Sequence, residues 1–245
     1  MKQMLSLAAV LLLAVSCGLH TDSYQDNLVM PLSEGSQDSL FFSVSVEYVV
    51  DGLRAQAKEN INSAITLQAF DLEGGNAGSI EEAAIAYREN LIDEYLTENG
   101  APEQPGGILT WEDRMGGLFT GSYKNWLNYQ LTYYSFRGGA HGIQTMSMVV
   151  FDKTTGAVLS QEDLFAPGFE APVAALLQKN VMDTLMAEDP ELAGLLEVEQ
   201  VAPNGNFSVS AAGVQWVYQP YEVGPYALGI VTGTLSWDQL KPYLK

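Results

Sequence analysis

The hydrophobic pattern changes period several times along this chain, and the changes predict its elements. "MLSLAAVLLLAV" (4–15) is a short apolar run behind Lys2. It is too short to span a bilayer comfortably as a helix. Residues 18–38 are polar and read as a tether. "LFFSVSVEYVV" (40–50) alternates around β-branched residues, as a half-buried strand does. In 53–70, Leu53, Ala57, Ile61, Ala64, Ile65 and Gln68 recur at helical spacing. "EGGNAG" (73–78) is a loop. Residues 79–100 form a second helix, with a Ser79/Glu82 capping box at its start and Asn99-Gly100 as its stop.

After the break "APEQPGG" the pattern turns β in character. "NWLNYQLTYYSF" (125–136) places Leu127, Tyr129, Leu131 and Tyr133 on one face. "IQTMSMVVFD" (143–152) is its partner strand. The intervening "RGGAHG" has the glycines that a hairpin turn needs. "DKTTG" (152–156) is another turn, and "SQEDLF" (160–165) a short helical one. A third long helix covers 170–188, with Val173, Leu176, Leu177, Val181, Leu185 and Met186 inward and Pro190 ending it. Residues 206–245 supply two or three short strands and a terminal turn from Ser236. Strands and helices come in runs. The fold class is therefore α+β, with a largely antiparallel sheet and about three packed helices in two consecutive segments. The expected boundaries are 1–16 for a signal peptide, 17–39 for the tether, 40–150 and 151–245.

Charge narrows the choice of partners. The formal net charge is −19 over 245 residues. Nucleic acid wants a basic surface, so it is excluded as a partner. A cationic partner fits, as does a simple solvated acidic surface.

The N-terminus bears on location. The apolar run ends in "LAVSC", and Cys17 is the only cysteine in the chain. That resembles a bacterial lipoprotein signal, in which the cysteine becomes a lipidated N-terminus. Ala14 stands where the pattern prefers a bulkier aliphatic residue, while the small Ser16 fits. The expectation is an exported protein, lipid-anchored at Cys17 in the bacterial cell envelope, either at the outer membrane or facing the periplasm. It touches the membrane through that anchor only.

Candidate chemistry is sparse. His141, in "FRGGAHGI", is the only histidine beyond the polar segment that holds His20. Zinc needs three or four ligands, and no HExxH or cysteine cluster supplies them. No calcium-loop pattern is present. There is no GxSxG elbow to mark a nucleophile. "WEDR" (111–114) and "QED" (161–163) read as turn and cap residues. His141 itself reads as a hairpin residue bonded to backbone. The expectation is therefore no catalytic residues, no metal and no cofactor. "QPYEVGPYALG" (219–229) is the other unusual stretch. It repeats P-Y-x-x-G, and its prolines deny the donors a central strand needs. Stiff, exposed tyrosines make good contact residues.

"GGAHG", then "FDKTTGAVLSQEDLF", a helix and "GVQWVYQPYEVGPYALG" together resemble the extracellular domain of the RsiV-type anti-sigma factors. Similar modules precede a peptidoglycan deacetylase domain and occur in small envelope lipoproteins. The likeness covers about residues 40–245. It implies a domain that binds lysozyme at the cell surface. This chain has neither a sigma-binding segment nor a deacetylase domain, so neither of those activities is carried over. The expected function is a non-enzymatic envelope binding module for a lysozyme-like protein or a cell-wall glycan such as peptidoglycan. Tyr221, Glu222, Tyr226 and His141 are the candidate contact residues. The alternatives are an envelope hydrolase using His141 as base, and a structural lipoprotein of an envelope complex.

Overall fold

The computed structural model describes residues 18–72, 78–100, 109–197 and 201–245. The expected signal peptide and Cys17 lie outside the described residues, as do most of the loop expected at 73–78 and all of the break at 101–107.

Five strands form the first sheet: β1 (His20–Pro31), β2 (Ser39–Asp51), β3 (Trp111–Tyr123), β4 (Trp126–Phe136) and β5 (Ile143–Asp152). They lie in sequence order, and β2 and β3 alone run parallel. A parallel neighbour requires a long crossover. Helices α1 (Ala55–Ala69) and α2 (Ile80–Asn99) provide it. Ser79 opens α2 with the expected capping box: its hydroxyl accepts from the Glu82 amide at 3.1 Å, and Glu82 accepts from the Ser79 amide at 2.9 Å. Such a cap stabilises a helix by about 1 kcal/mol. Both helices pack on one face of the sheet, where Leu40, Phe42, Val44, Met115, Leu127, Tyr129 and Leu131 are buried.

The tether expected over 17–39 is corrected by β1, which pairs with β2 over its whole length. Tyr24, Leu28 and Met30 alternate inward onto the first core. Asp26 reaches Arg88 of α2 at 2.5 Å. Polar residues between these positions hid the alternation, because an edge strand keeps one side in water.

The expected turn at "WEDR" is corrected too. Those residues open β3, with Trp111, Asp113 and Met115 inward. A carboxylate in the middle of the buried set breaks the apolar pattern that would betray a strand.

The second half has its own core. A short helix α3 (Gln161–Leu164) precedes the long helix α4 (Glu170–Glu188), which ends at the turn α5 (Pro190–Ala193). A three-stranded antiparallel sheet follows: β6 (Phe207–Val209), β7 (Gly213–Tyr218) and β8 (Val231–Ser236), closed by α6 (Trp237–Leu240). Val173, Leu177, Val181 and Leu185 of α4 pack with Val214, Trp216 and Leu235. Met186, expected to face inward, is half exposed, one position past the buried stripe. The architecture is α+β with a largely antiparallel first sheet.

The two cores meet at β4 and β5. Asn128 of β4 donates to the Val209 carbonyl at 2.7 Å and accepts from the Val209 amide at 2.9 Å. Asn206 accepts from the Met148 amide at 2.6 Å and donates to the Met146 carbonyl at 2.8 Å. Gln219 accepts from the Met146 amide at 3.0 Å and donates to its carbonyl at 2.6 Å. Three side-chain amides thus imitate a strand partner where no backbone ladder forms.

Candidate functional site

The two sequence stretches singled out above come together in space. The β4–β5 connection carries Gly138 and Gly139 at positive φ, as a hairpin of this sequence requires. It delivers His141 to the surface. From the other half, the loop between β7 and β8 delivers Tyr226, which begins a short 3-10 turn (Tyr226–Leu228). The His141 and Tyr226 rings stack, with centroids 4.0 Å apart and planes 19° from parallel. The Tyr226 hydroxyl donates to the Gly142 carbonyl at 2.9 Å, and His141 Nδ1 lies 3.1 Å from the same oxygen. Gly142 is buried flat against Tyr134, so a side chain there would strike the tyrosine ring.

Tyr221 stands beside this pair, its ring 5.8 Å from that of Tyr226. It is 59% exposed and has φ of 71°. The local cause is a turn over Gln219–Glu222, closed by the Glu222 amide donating to the Gln219 carbonyl at 3.0 Å. Pro220 fills the second position and Tyr221 the third, which is where a type II turn wants glycine. A bulky side chain held there is strained by roughly 1 kcal/mol or more. Glu222 is exposed, yet both of its oxygens are engaged. They accept from the Gln219 amide at 2.7 Å and from Asn204 Nδ2 at 2.6 Å. It shapes the turn that presents Tyr221.

Beside this patch lies a cleft of about 810 Å³. It follows β5, between the end of α1 and the loops that carry Asn204 and Gln219. Its floor includes Met115, Leu131, Tyr133, Ser147 and Val149, and Tyr87 of α2 reaches in. Behind the phenols sits Asp113, only 1% exposed. Tyr87 and Tyr133 each donate to its Oδ2 at 3.0 Å, and Arg137 reaches the same oxygen at 2.8 Å. The guanidinium also lies over the Trp111 ring at 4.4 Å. Burial pushes the Tyr87 hydroxyl far above the ordinary phenol range, aided by its contacts with Tyr133 and Asp113. Burial raises Tyr133 as well. Asp113 Oδ1 is buried without a hydrogen-bond partner. Sequence reading missed this cluster. The one available signal was an aspartate at an inward register position of β3.

His141 forms no hydrogen bond to a serine, threonine or carboxylate among the described residues. No group of three or more His, Cys, Asp or Glu able to hold a metal occurs among the described residues. No helix among them is long and apolar enough to cross a membrane.

Residues 162–238 match the family described as Protein of unknown function (DUF3298). No curated protein matches the chain. A crystal structure of a DUF3298 family member from Bacteroides fragilis superposes with a TM-score of 0.79 at 23% identity, covering 93% of this chain and 94% of that one. A DUF3298 family protein from Pseudomonas aeruginosa PAO1 gives a TM-score of 0.68 at 15% identity, with the same coverage of the two chains. These likenesses show a shared fold, and the RsiV-type resemblance is consistent with the matched domain.

Proposed function

We propose that this chain is a lipid-anchored binding module of the bacterial envelope, contacting a cationic, lysozyme-like protein through the patch of His141, Tyr221 and Tyr226. One observation carries the reading. Two stretches remote in sequence converge on an exposed aromatic step, and the step includes a tyrosine held in a backbone conformation that disfavours it. Strain of this kind persists where function retains it. Stacked, semi-rigid aromatics lose little entropy on binding and are typical anchors of protein interfaces. The net charge of −19 supplies long-range attraction for a cationic partner. The anchor would be Cys17, and Cys17→Ser is expected to move the protein from the membrane fraction to the soluble one.

The test is titration of residues 18–245 with lysozyme at low and moderate salt. Binding is expected at low salt, weakening as salt rises. The pair Tyr221→Ala and Tyr226→Ala should cost about tenfold or more in affinity. Absence of binding and of lysozyme inhibition at both salt concentrations overturns the reading.

A further inference from the structure

The cleft along β5 is a different surface from the aromatic patch, sharing with it only the Gln219–Glu222 turn. Its volume lies within the range of small-molecule sites. Its charge is one-sided. Among the described residues no lysine, arginine or histidine lines it, and two carboxylates, Asp71 and Glu222, do. Tyr87 and Tyr133 have one phenolic proton each. The bonds to Asp113 Oδ2 and the 3.1 Å contact between the two hydroxyls use both protons inside the cluster. Toward the cleft these phenols can therefore only accept. Asn204 donates to the Val217 carbonyl and to Glu222, while Asn206 donates to the carbonyls of Met146 and Val217. Neither has an amide proton left for a ligand, whereas Gln219 spends only one of its two on the Met146 carbonyl and Gln68 also lines the cleft, so a few donors stand among the acceptors. Thr145 and Ser147 add hydroxyls, and Met115, Leu131 and Val149 give the floor an apolar surface.

We infer that this cleft binds a small, non-anionic ligand dense in hydroxyl or amine donors, of the size of a few sugar rings. The carboxylates and phenols on the walls take the ligand's protons, Gln68 and Gln219 can donate in return, and the apolar floor covers the carbon face of a ring. An anionic ligand would face carboxylates with no cation to offset them, in a site partly withdrawn from water. Asp113 and Arg137 act from behind, fixing the two phenols in one orientation. Two sources share this donor chemistry: an amino-sugar oligosaccharide and a free polyamine.

Calorimetric titration of residues 18–245 tests the inference with four probes: a glucosamine tetramer, its N-acetylated counterpart, spermidine and a hyaluronan tetrasaccharide. Binding of either uncharged or amine-bearing tetramer, with the uronate-bearing one excluded, is expected. Binding by spermidine alone assigns the cleft to polyamines and keeps the inference. Ser147 is exposed on the floor, and Ser147→Trp should fill the cleft and lower affinity at least about tenfold. Lack of binding by the tetramers and spermidine at millimolar concentration sinks the inference. So does hyaluronan binding as tightly as the glucosamine tetramer, or a Ser147→Trp protein that binds like the parent. Circular dichroism of the variant separates a blocked cleft from a misfolded chain. The patch substitution Tyr226→Ala lies outside the shared turn and leaves this binding in place, so failure here and failure of the lysozyme reading give different patterns.

Discussion

Tyr221 combines a left-handed backbone with an exposed ring. Its turn would form more easily with glycine, because only glycine adopts positive φ without a clash between Cβ and backbone. Tyr221→Gly is therefore expected to leave thermal stability unchanged or raise it by up to about 1 kcal/mol. The same change should weaken binding of the proposed partner about tenfold, since the ring is the proposed contact. Thermal melts and titrations on one preparation check both halves. A destabilised variant with intact binding would assign Tyr221 to packing and remove it from the interface. The sequence made this position visible, since Pro-Tyr twice in a glycine-bearing loop does not suit a strand. Asp113 was not visible. Its role depends on Tyr87 and Tyr133, twenty or more residues away in each direction. Composition cannot separate one buried carboxylate from 29 others among the 30 acidic residues.

At the scale of elements, the "DKTTG" turn shows how a local motif holds a distant helix. Asp152 Oδ1 accepts the amides of Thr154 and Thr155, both at 2.8 Å, and Oδ2 accepts from Asn125 at 2.6 Å. The turn then docks on α1, where Asn60 donates to the Thr155 carbonyl at 2.8 Å. Gly156, at φ of 73°, lies so close to the Ala57 carbonyl that any side chain would lever the turn off the helix. Desolvation alone would raise the Asp152 carboxyl. The bonds from Thr155, Thr154 and Asn125 outweigh it and hold the group below the ordinary carboxylate value. A depressed carboxylate contributes stability in full above its unfolded pKa, about 4. That contribution disappears as pH falls through the folded value. Asp152→Ala should cost about 1 kcal/mol near neutrality, discounted because the group is exposed. The variant and parent melting curves should converge as pH drops from about 7 to about 2. A gap that widens in acid would refute the assignment. Capping boxes and turns of this kind were readable because their partners lie within a few residues. Strand β1 escaped notice because its evidence is tertiary: polar along its exposed side, it is fixed by pairing with β2 and by Asp26 meeting Arg88.

For the whole molecule, the decisive structural question is what joins the two cores. The first sheet ends at β5 and the second begins at β6, yet no strand ladder connects them. Asn128, Asn206 and Gln219 take that place, each meeting the donor and acceptor demands of backbone that would otherwise be orphaned. An asparagine in a strand pattern ordinarily reads as a surface or turn residue, so the joint could not be foreseen from one sequence. Asn128 is the most stringent case, because both it and Val209 are buried. Asn128→Ala leaves the Val209 amide and carbonyl without partners, at a cost of about 2–4 kcal/mol. Asn128→Asp keeps the acceptor but places a charge opposite the Val209 carbonyl, and should be at least as damaging. Because the joint lies between two cores, the loss is expected to appear as a denaturant transition that broadens or splits, with a lower apparent m-value, rather than as a shifted midpoint alone. Hydrogen exchange should show β6–β8 losing protection before β2–β4. A single sharp transition with an unchanged midpoint would mean that apolar contact between the halves, and not the amide joint, couples them. The aromatic patch is assembled across the same joint, with His141 on one side and Tyr226 on the other. Loosening Asn128 should therefore weaken partner binding although Asn128 lies outside the patch, whereas a change of comparable cost inside either core should not.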